Sequence, residues 1–351
     1  MTRSVNGRQR QDWETATARE LRLLAPTRAI VVLSGVAIAA LGAAPFVLGA
    51  YWTWLLSSAL LLALFAVSFN LLFGFTGLLS FGHAMFFAIG GYVSALTLLS
   101  YASLPLAVLL GVSAATAAGV LIGYLCLRHS DIYFAMLTLA FGMMVHSAIW
   151  RWRDVTGGDD GLRGVPRGIL GVPGFGIDVS ELTRFYFVIL VVSLAGMYVL
   201  WRVVSSPAGL ALQGIRENEA RVAYAGLPVR RLRLYSFTMS AVFSGLAGAL
   251  WTPLQTNATP SIAFWTFSAE PVLASLLGGA HAFAGPIVGA FLLFLAKQYV
   301  LAYTQYWLLV LGAIVVLLVL AFRGGVVSVV QTVAAPRVAR LLDRTWGQPD
   351  A

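Results

Sequence analysis

Long apolar runs alternate with short polar breaks along this chain of 351 residues. A helix needs ~20 apolar residues to cross the hydrocarbon core of a bilayer. Ten runs approach or reach that length, so the pattern predicts an all-α polytopic membrane protein with about ten transmembrane helices, some of them short or broken. The predicted spans are 29–49, 51–73, 83–100, 105–127, 131–150, 185–203, 234–254, 268–281, 285–301 and 306–322.

Arginines concentrate in three polar segments, residues 1–28, the loop 204–233 and the tail 326–351. Basic residues stay preferentially on the cytoplasmic side of a membrane, and ten crossings place all three segments on one face. We therefore expect cytoplasmic termini flanking a transmembrane domain over 29–325, in the inner (cytoplasmic) membrane. The loop 151–184, which carries five acidic residues beside its arginines, is then external.

Composition excludes several classes of protein. Hydrophobic residues make up 59% of the chain and charged residues 11%, whereas soluble domains carry about 25% charge. The net charge of +9 comes from arginines in the terminal segments and loops, which indicates orientation in a membrane rather than nucleic-acid binding. A single cysteine, Cys126, permits neither a disulfide framework nor a thiolate metal site.

One apolar region contains residues that weaken a helix. The stretch GFTGLLSFGHAMFFAIGGY, Gly74 to Tyr92, holds five glycines with a threonine, a serine and a histidine. Each glycine costs ~1 kcal/mol relative to alanine inside a helix. The stretch therefore predicts either close helix packing through small residues or a broken, re-entrant element beside a transport pathway.

A second glycine-containing break precedes His281, and it suggests a two-fold internal repeat. His83-Ala84 and His281-Ala282 are each followed at the same spacing by a glycine. Both histidines are candidates for a structural role or for substrate contact, and without nearby carboxylates or cysteines they predict no metal site. The residues assigned to the two breaks and the adjoining pathway are Asn70, Gly77, Ser80, Gly82, His83, Gly278, Gly279 and His281.

Glu270 stands at the start of the short apolar run 268–281. It predicts either a pathway-lining carboxylate or a side chain in the outer headgroup region.

The loop SSPAGLALQGIRENEARVAYAGLPVRRLRLYSF, Ser205 to Phe237, predicts one short helix. Pro207 suits a first helical turn, and Gly226 with Pro228 is a stop signal. Leu212, Ile215, Glu219 and Val222 share a face, and Glu217 stands four residues before Arg221, a spacing that favours an ion pair. Such a helix is either a solvated connector or an element that docks into a partner's groove.

Together these stretches resemble the M-type permease subunit of branched-chain amino-acid ABC importers. The resemblance covers most of the chain from about 60 to 325. It is carried by FNLLFGFTGLLSFGHAMFFAIGGY (69–92), TGGDDGLRGVPR (156–167), GLALQGIRENEARVAYAG (209–226), FSGLAGAL (243–250) and LLGGAHAFAGPIVGA (276–290).

The resemblance implies partners and roles. A periplasmic binding protein delivers the substrate, a second, H-type permease completes the pathway, and two cytoplasmic ATP-binding subunits drive alternating access. The cytoplasmic helix becomes the coupling helix, with Gly209, Arg216, Glu217, Asn218, Glu219, Ala220 and Gly226 matching the family pattern. The external stretch Thr156, Gly157, Gly158 and Asp159 either receives the binding protein or forms an ordinary turn.

The sequence also bears on other functions. It has no G-x-x-x-x-G-K-[ST] phosphate loop, so we expect no cofactor and no ATPase site in this chain, with ATP bound by the partner subunits. Acidic residues are nearly absent from the predicted spans, which disfavours an ion-coupled secondary carrier, and no nucleophile motif or H-E-x-x-H indicates an enzyme. Because the family includes carriers of urea, short amides and aromatic acids, these remain alternatives to leucine, isoleucine and valine.

Overall fold

Helices dominate the part of the chain that the computed structural model describes, residues 28–128, 131–172 and 175–303 with positions 306, 309, 310, 312, 313, 316 and 325. In chain order they are α1 Arg28–Val47, α2 Ala50–Asn70, α3 Ala84–Tyr101, α4 Leu104–Cys126, α5 Asp131–Arg151, α6 Arg153–Thr156, α7 Leu182–Val204, α8 Pro207–Glu217, α9 Glu219–Tyr224, α10 Val229–Gln255, α11 Trp265–Gly278 and α12 Gly285–Tyr303. Helix α2 runs on into a π-helical turn, Leu71–Phe75, and two 3₁₀ turns cover Gly158–Asp160 and Pro260–Ala263.

Four short strands connect the helices at one end of the bundle. They are β1 Leu162–Arg163, β2 Ile169–Val172, β3 Phe175–Asp178 and β4 Asn257–Ala258. Strand β1 pairs antiparallel with β4, and β2 pairs antiparallel with β3. The region predicted as the external loop 151–184 therefore contains ordered hydrogen-bonded structure.

Seven helices among the described residues are long and apolar enough to cross a membrane, namely α2 with its π turn, α3, α4, α5, α7, α10 and α12. They confirm the all-α multi-pass class. The predicted span 268–281 corresponds to α11, which has only 14 residues, and 29–49 corresponds to α1. Most of 306–322 lies outside the described residues, so the total of ten crossings stays a prediction.

Helix α2 lies at the centre of the bundle. Of the 18 consecutive residues of α2 with the highest mean hydropathy, 94% are buried by other parts of the chain. In the corresponding stretches of α4, α5, α7 and α12 only about one third of the residues are buried. Helices α3 and α10 are intermediate and cross each other closely, since a β-carbon on Gly90 would lie 2.2 Å from the Gly245 carbonyl oxygen. Small residues at such crossings maximise packing contact, which drives helix association in lipid.

The chain divides into two compact units. Residues 45–328 form one, which contains the helix breaks, clefts and ion pairs described below. Residues 1–44 and 329–351 form the other, in which the described residues belong to helix α1.

The two ends of the larger unit are built differently. At one, here called the Arg216 end, the π turn after α2 meets α8, and the turn between α11 and α12 joins them. At the other, the Asp159 end, the strands and the 3₁₀ turns connect α5, α7, α10 and α11. Helices α7 and α10 run between the two ends, so the predicted cytoplasmic and external loops lie on opposite sides of the bundle.

Candidate functional site

The first helix break begins where α2 changes into the π turn. Beyond it Gly77 has a φ of +81°, a left-handed conformation that glycine adopts without strain. The backbone released there remains hydrogen-bonded, because the Gly77 and Leu78 amides donate to the carbonyls of Phe73 and Leu72. The Thr76 hydroxyl donates to the Leu71 carbonyl at 2.9 Å. This satisfies the requirement that irregular backbone in a membrane protein keeps its polar groups paired.

The chain then returns into the bundle and starts α3 immediately after His83. Gly82 lies against α5 so closely that a β-carbon would be 1.8 Å from the Thr138 carbonyl oxygen. The first amide of α3, at Ala84, donates to the Ser268 hydroxyl on α11 at 2.9 Å. The predicted break is therefore an irregular segment enclosed by other helices.

His83 is fully buried in this segment. Its Nε2 lies 2.8 Å from the Ser240 hydroxyl on α10, and its ring stacks on Phe65 with centroids 6.0 Å apart. Ser240 in turn donates to the Ser68 carbonyl. Through these contacts His83 links the first break to α2 and α10, as expected for a structural histidine. None of these contacts of His83 reaches the second break.

Three buried polar atoms near the first break lack a hydrogen-bond partner among the described residues. They are Asn70 Oδ1, Ser80 Oγ and His83 Nδ1. Unpaired buried polar groups are uncommon and point to strain, an unrecorded water or a functional role. All three residues belong to the set assigned to the breaks from the sequence.

The second break lies between α11 and α12. Gly279 has a φ of +106°, and a β-carbon on Gly278 would lie 1.7 Å from the Gly285 carbonyl oxygen. The chain therefore turns back on itself where only glycine fits. Asn70 Nδ2 donates to the Ala280 carbonyl at 3.0 Å, which brings the two breaks into direct contact.

The repeat suggested by the two His-Ala pairs is not confirmed. His83 is buried and directly precedes α3, whereas His281 is exposed and lies four residues before α12. The two breaks are neighbours in space, but they differ in local structure.

The segment predicted as one cytoplasmic helix is two helices. The Ser206 hydroxyl accepts a hydrogen bond from the Gly209 amide and caps α8, as the serine before Pro207 would suggest. Asn218 then adopts an extended conformation and caps α9 by accepting from the Arg221 amide at 2.9 Å. The single-helix prediction was wrong because asparagine competes for backbone bonds and ended the helix.

Side chains of this helix pair divide between the bundle and solvent. Leu212, Ile215 and Val222 are buried, as their shared face predicted. Glu219 forms an ion pair with Arg233 of α10 at 2.8 Å. Because α8 and α9 are separated at Asn218, Glu217 and Arg221 lie on different helices, and their spacing of four residues does not place them on one helix face. Exposed residues of the predicted coupling set are Arg216, Glu217, Asn218, Glu219, Ala220 and Gly226.

Arg216, in the last turn of α8, joins both helix breaks. One guanidinium nitrogen donates to the Gly74 carbonyl of the π turn, and the other lies 2.7 Å from His281 Nε2. The aliphatic part of the side chain covers Gly77, where a β-carbon would be 3.0 Å from Arg216 Cγ. Residues named separately from the sequence as coupling and break residues thus form one cluster.

An open cleft of about 420 Å³ adjoins the cluster, lined by Gly74, Phe75, Gln213, Arg216, Glu217 and His281. Burial, and then the Arg216 cation, lower the pKa of His281 below its ordinary value. The imidazole is therefore neutral at pH 7, and Nε2 accepts a hydrogen bond from Arg216.

The predicted external residues lie at the Asp159 end and do not join this cluster. The Thr156 hydroxyl donates to the Trp152 carbonyl at 2.8 Å, and Gly157 and Gly158 both have positive φ. Asp159 accepts from Trp150 Nε1 at 3.0 Å and lines a cleft of about 400 Å³ with residues of α5 and of the segment 259–266. The stretch is thus an ordered turn beside a cleft.

Sequence reasoning missed an ion pair within the bundle. Lys297 Nζ on α12 lies 2.5 Å from Glu270 Oε1 on α11, and both side chains are about four-fifths buried. The pair borders a small apolar cavity of about 30 Å³. The sequence did contain an indication of this pair, because Lys297, the only lysine of the chain, and the acidic residue Glu270 lie in adjacent apolar runs.

Apolar helices surrounding two broken elements are typical of membrane transport proteins. Comparison with known proteins identifies the family of transport protein. The family model described as "branched-chain amino acid transport system / permease component" matches residues 51–320. The chain belongs to this family.

Two curated relatives carry the name high-affinity branched-chain amino acid transport system permease protein LivM. They come from Escherichia coli (strain K12) and Salmonella typhimurium (strain LT2), and each is 30% identical over 279 residues. The match takes in 72% of this chain and 64% of each relative, a little under two thirds of their length. No solved structure matches the chain.

Proposed function

We propose that this chain is the membrane-spanning permease subunit of an ABC importer for branched-chain amino acids. Membership of the permease family and the names of the LivM relatives support the class and the substrate. The observation that carries the mechanism is the contact of Arg216 with both helix breaks. Urea, short amides and aromatic acids are the alternative substrates.

The proposed orientation places the Arg216 end in the cytoplasm. Exposed arginines are frequent there, at positions 128, 202, 221, 230 and 231, as the positive-inside rule requires of a cytoplasmic face. The acidic turn at Asp159 and its cleft then face the periplasmic side, where a substrate-binding protein would dock.

Four further subunits complete the proposed complex: an H-type permease, two ATP-binding subunits and the periplasmic binding protein. The chain has no phosphate-binding loop of its own, so ATP hydrolysis is assigned to the partners. Helices α8 and α9 present Glu217, Ala220 and Arg221 to solvent, and this exposed surface is the proposed dock for one ATP-binding subunit.

Arg216 would transmit movement from that dock into the membrane. Its side chain adjoins the exposed Glu217 and holds the Gly74 carbonyl of the first break and His281 of the second. A displacement of α8 would therefore act on both breaks at once, and the Asn70–Ala280 hydrogen bond would keep them together. The unpaired polar atoms of Asn70, Ser80 and His83 support a pathway beside the first break.

The Glu270–Lys297 pair bears on the rival ion-coupled carrier, which requires an acidic group that gains and loses a proton. Here the buried carboxylate is held by a lysine at 2.5 Å. Because Glu270 already pairs with Lys297, this contact suits a structural link between α11 and α12 better than a proton-coupling site.

The test is uptake by cells in which this chain is deleted and then restored, with radiolabelled leucine, urea and an aromatic acid measured in parallel. Loss and recovery of leucine uptake alone supports the proposal. If deletion lowers the uptake of urea or of the aromatic acid only, the importer assignment stands and that solute is the substrate instead. Leucine uptake that follows an ion gradient and persists without ATP would overturn the ABC assignment.

A further inference from the structure

Two arginines from different helices converge on one tyrosine at the Arg216 end. The guanidinium carbons of Arg128 and Arg230 lie 5.3 Å and 5.0 Å from the centre of the Tyr124 ring. Arg128 follows the end of α4 at Cys126, and Arg230 stands in the first turn of α10. The helices approach closely there, since a β-carbon on Gly123 would be 2.7 Å from the Phe237 ring.

Among the side chains that the structure describes, no acidic group offsets the two charges. No described carboxylate lies within salt-bridge distance of Arg128 or Arg230, whereas Arg163, Arg184 and Arg233 each pair with an acidic side chain. Stacking on Tyr124 orients the two guanidinium groups without neutralising them. Two exposed like charges held near one ring make a favourable position for an anion.

An exposed apolar stripe leads to this position. On α4 the large exposed side chains lie in two groups, with the small exposed residues Ser113 and Ala117 between them, and Arg128 follows one turn after Tyr124. The groups are Leu106, Leu109 and Leu110, and then Val120, Leu121, Tyr124 and Leu125. From Leu110 to Tyr124 the helix rises about 21 Å, which exceeds the ~15 Å of hydrocarbon in one leaflet. Tyrosine and arginine at the end of such a stripe are at the usual depth of lipid headgroups.

We propose that Arg128, Tyr124 and Arg230 bind the phosphate of an acidic phospholipid, with an acyl chain along the α4 stripe. The guanidinium fork matches phosphate oxygens, and basic pockets between transmembrane helices suit anionic headgroups. A zwitterionic lipid would bring its own cation to a site that has no described acidic partner for it. The site is independent of the substrate proposed above.

The experiment uses the full-length protein purified in detergent and exposed to an equal mixture of phosphatidylglycerol and phosphatidylcholine. Native mass spectrometry counts the retained lipids. We expect wild type to retain phosphatidylglycerol preferentially and the double variant Arg128→Gln/Arg230→Gln to lose at least tenfold in that preference, since each basic residue near a lipid surface contributes on the order of fivefold. Arg202→Gln, an exposed arginine in the last turn of α7, is the matched control and keeps the preference.

Further arms separate the alternatives. Inorganic phosphate that displaces the bound lipid would show that the acyl stripe contributes nothing and would overturn the lipid assignment. Equal retention of both lipids by wild type, or an unchanged preference in the double variant, would overturn the site. A double variant that keeps phosphatidylglycerol but no longer co-purifies with a second permease would show that the face is a protein interface. If the double variant is not monodisperse, Arg230→Gln alone, with an expected loss of about fivefold, gives the same decision.

Discussion

The guanidinium of Arg216 lies 2.7 Å from Nε2 of His281, so α8, which is not one of the seven candidate spans, is bonded directly to the turn between α11 and α12. The same guanidinium reaches the Gly74 carbonyl of the π turn. A single side chain therefore connects three segments that are distant in sequence. This relationship leads to the first two predictions.

We predict that Arg216→Ala together with Glu217→Ala abolishes coupled uptake while the protein remains in the membrane. The change removes both the exposed dock residue and the bond to the breaks. Of the single variants, Arg216→Gln should reduce uptake more than tenfold, and Glu217→Gln should weaken attachment of the ATP-binding subunit. Uptake, ATPase rate and co-purification are measured in reconstituted vesicles. Full uptake by the double variant would remove α8 from the coupling path.

Acidification on the Arg216 side should break the bond to His281. The folded environment disfavours the imidazolium, so the contribution of this contact is present above the ordinary His pKa of 6.5 and is lost as the pH falls. A protonated His281 cannot accept from Arg216 and repels it. We expect coupled uptake to decline below about pH 6. In His281→Gln, which keeps an acceptor but cannot be protonated in this range, that decline should disappear; an identical pH profile would contradict the mechanism.

Gly278 and Gly82 should be intolerant of any side chain. Both approach carbonyl oxygens within 2 Å of an added β-carbon, so Gly278→Ala and Gly82→Ala should lower stability by roughly 1–3 kcal/mol. Gly42 on α1 has nothing near its missing β-carbon, so Gly42→Ala is the control and should not lower stability; it should raise it by up to ~1 kcal/mol, the helix preference of alanine over glycine. Thermal unfolding in detergent measures all three. If both variants melt at the wild-type temperature, the backbone at the two breaks can move to make room for a methyl group. Leucine at Gly82 and Gly278 would then test whether these positions line the transport pathway.

Removing one member of the buried ion pair should destabilise the protein more than removing both. Lys297→Met leaves the Glu270 carboxylate without the ammonium that it pairs with, in a largely apolar surrounding, and should cost about 3–5 kcal/mol. Glu270→Gln/Lys297→Met removes both charges and should recover most of that loss. The melting temperatures of the wild type, the two single variants and the double variant together form a double-mutant cycle, which gives the interaction energy of the pair. Additive losses would show that the two side chains act independently.

The sequence predicted the elements that depend on local patterns. Apolar length located the seven candidate spanning helices, Pro207 and Gly226 marked the ends of the segment predicted to be cytoplasmic, and glycine clustering located both breaks. These features are determined by hydrophobicity and backbone preference over a few residues, so neighbouring residues suffice to identify them.

The connections between elements were not predictable in this way. Arg216 meets Gly74 across 142 positions, and Asn70 meets Ala280 across 210. The direction of the Arg216 side chain and the pairing of Glu270 with Lys297 depend on how distant helices pack. The break at Asn218 was missed because the preceding and following residues all favour a helix, whereas the asparagine cap prevailed locally.

The near-complete burial of α2 has a consequence for biogenesis. During synthesis this helix leaves the ribosome before α3, α10 and α12, the helices that will surround it. Its inner positions carry Ser57, Ser58, Ser68 and Asn70, all buried in the finished fold. Until those later helices are inserted, the polar side chains must face lipid, the translocation machinery or a chaperone. Truncation after α2 would therefore leave the most deeply buried of the seven candidate spans exposed to lipid, with its polar side chains unprotected.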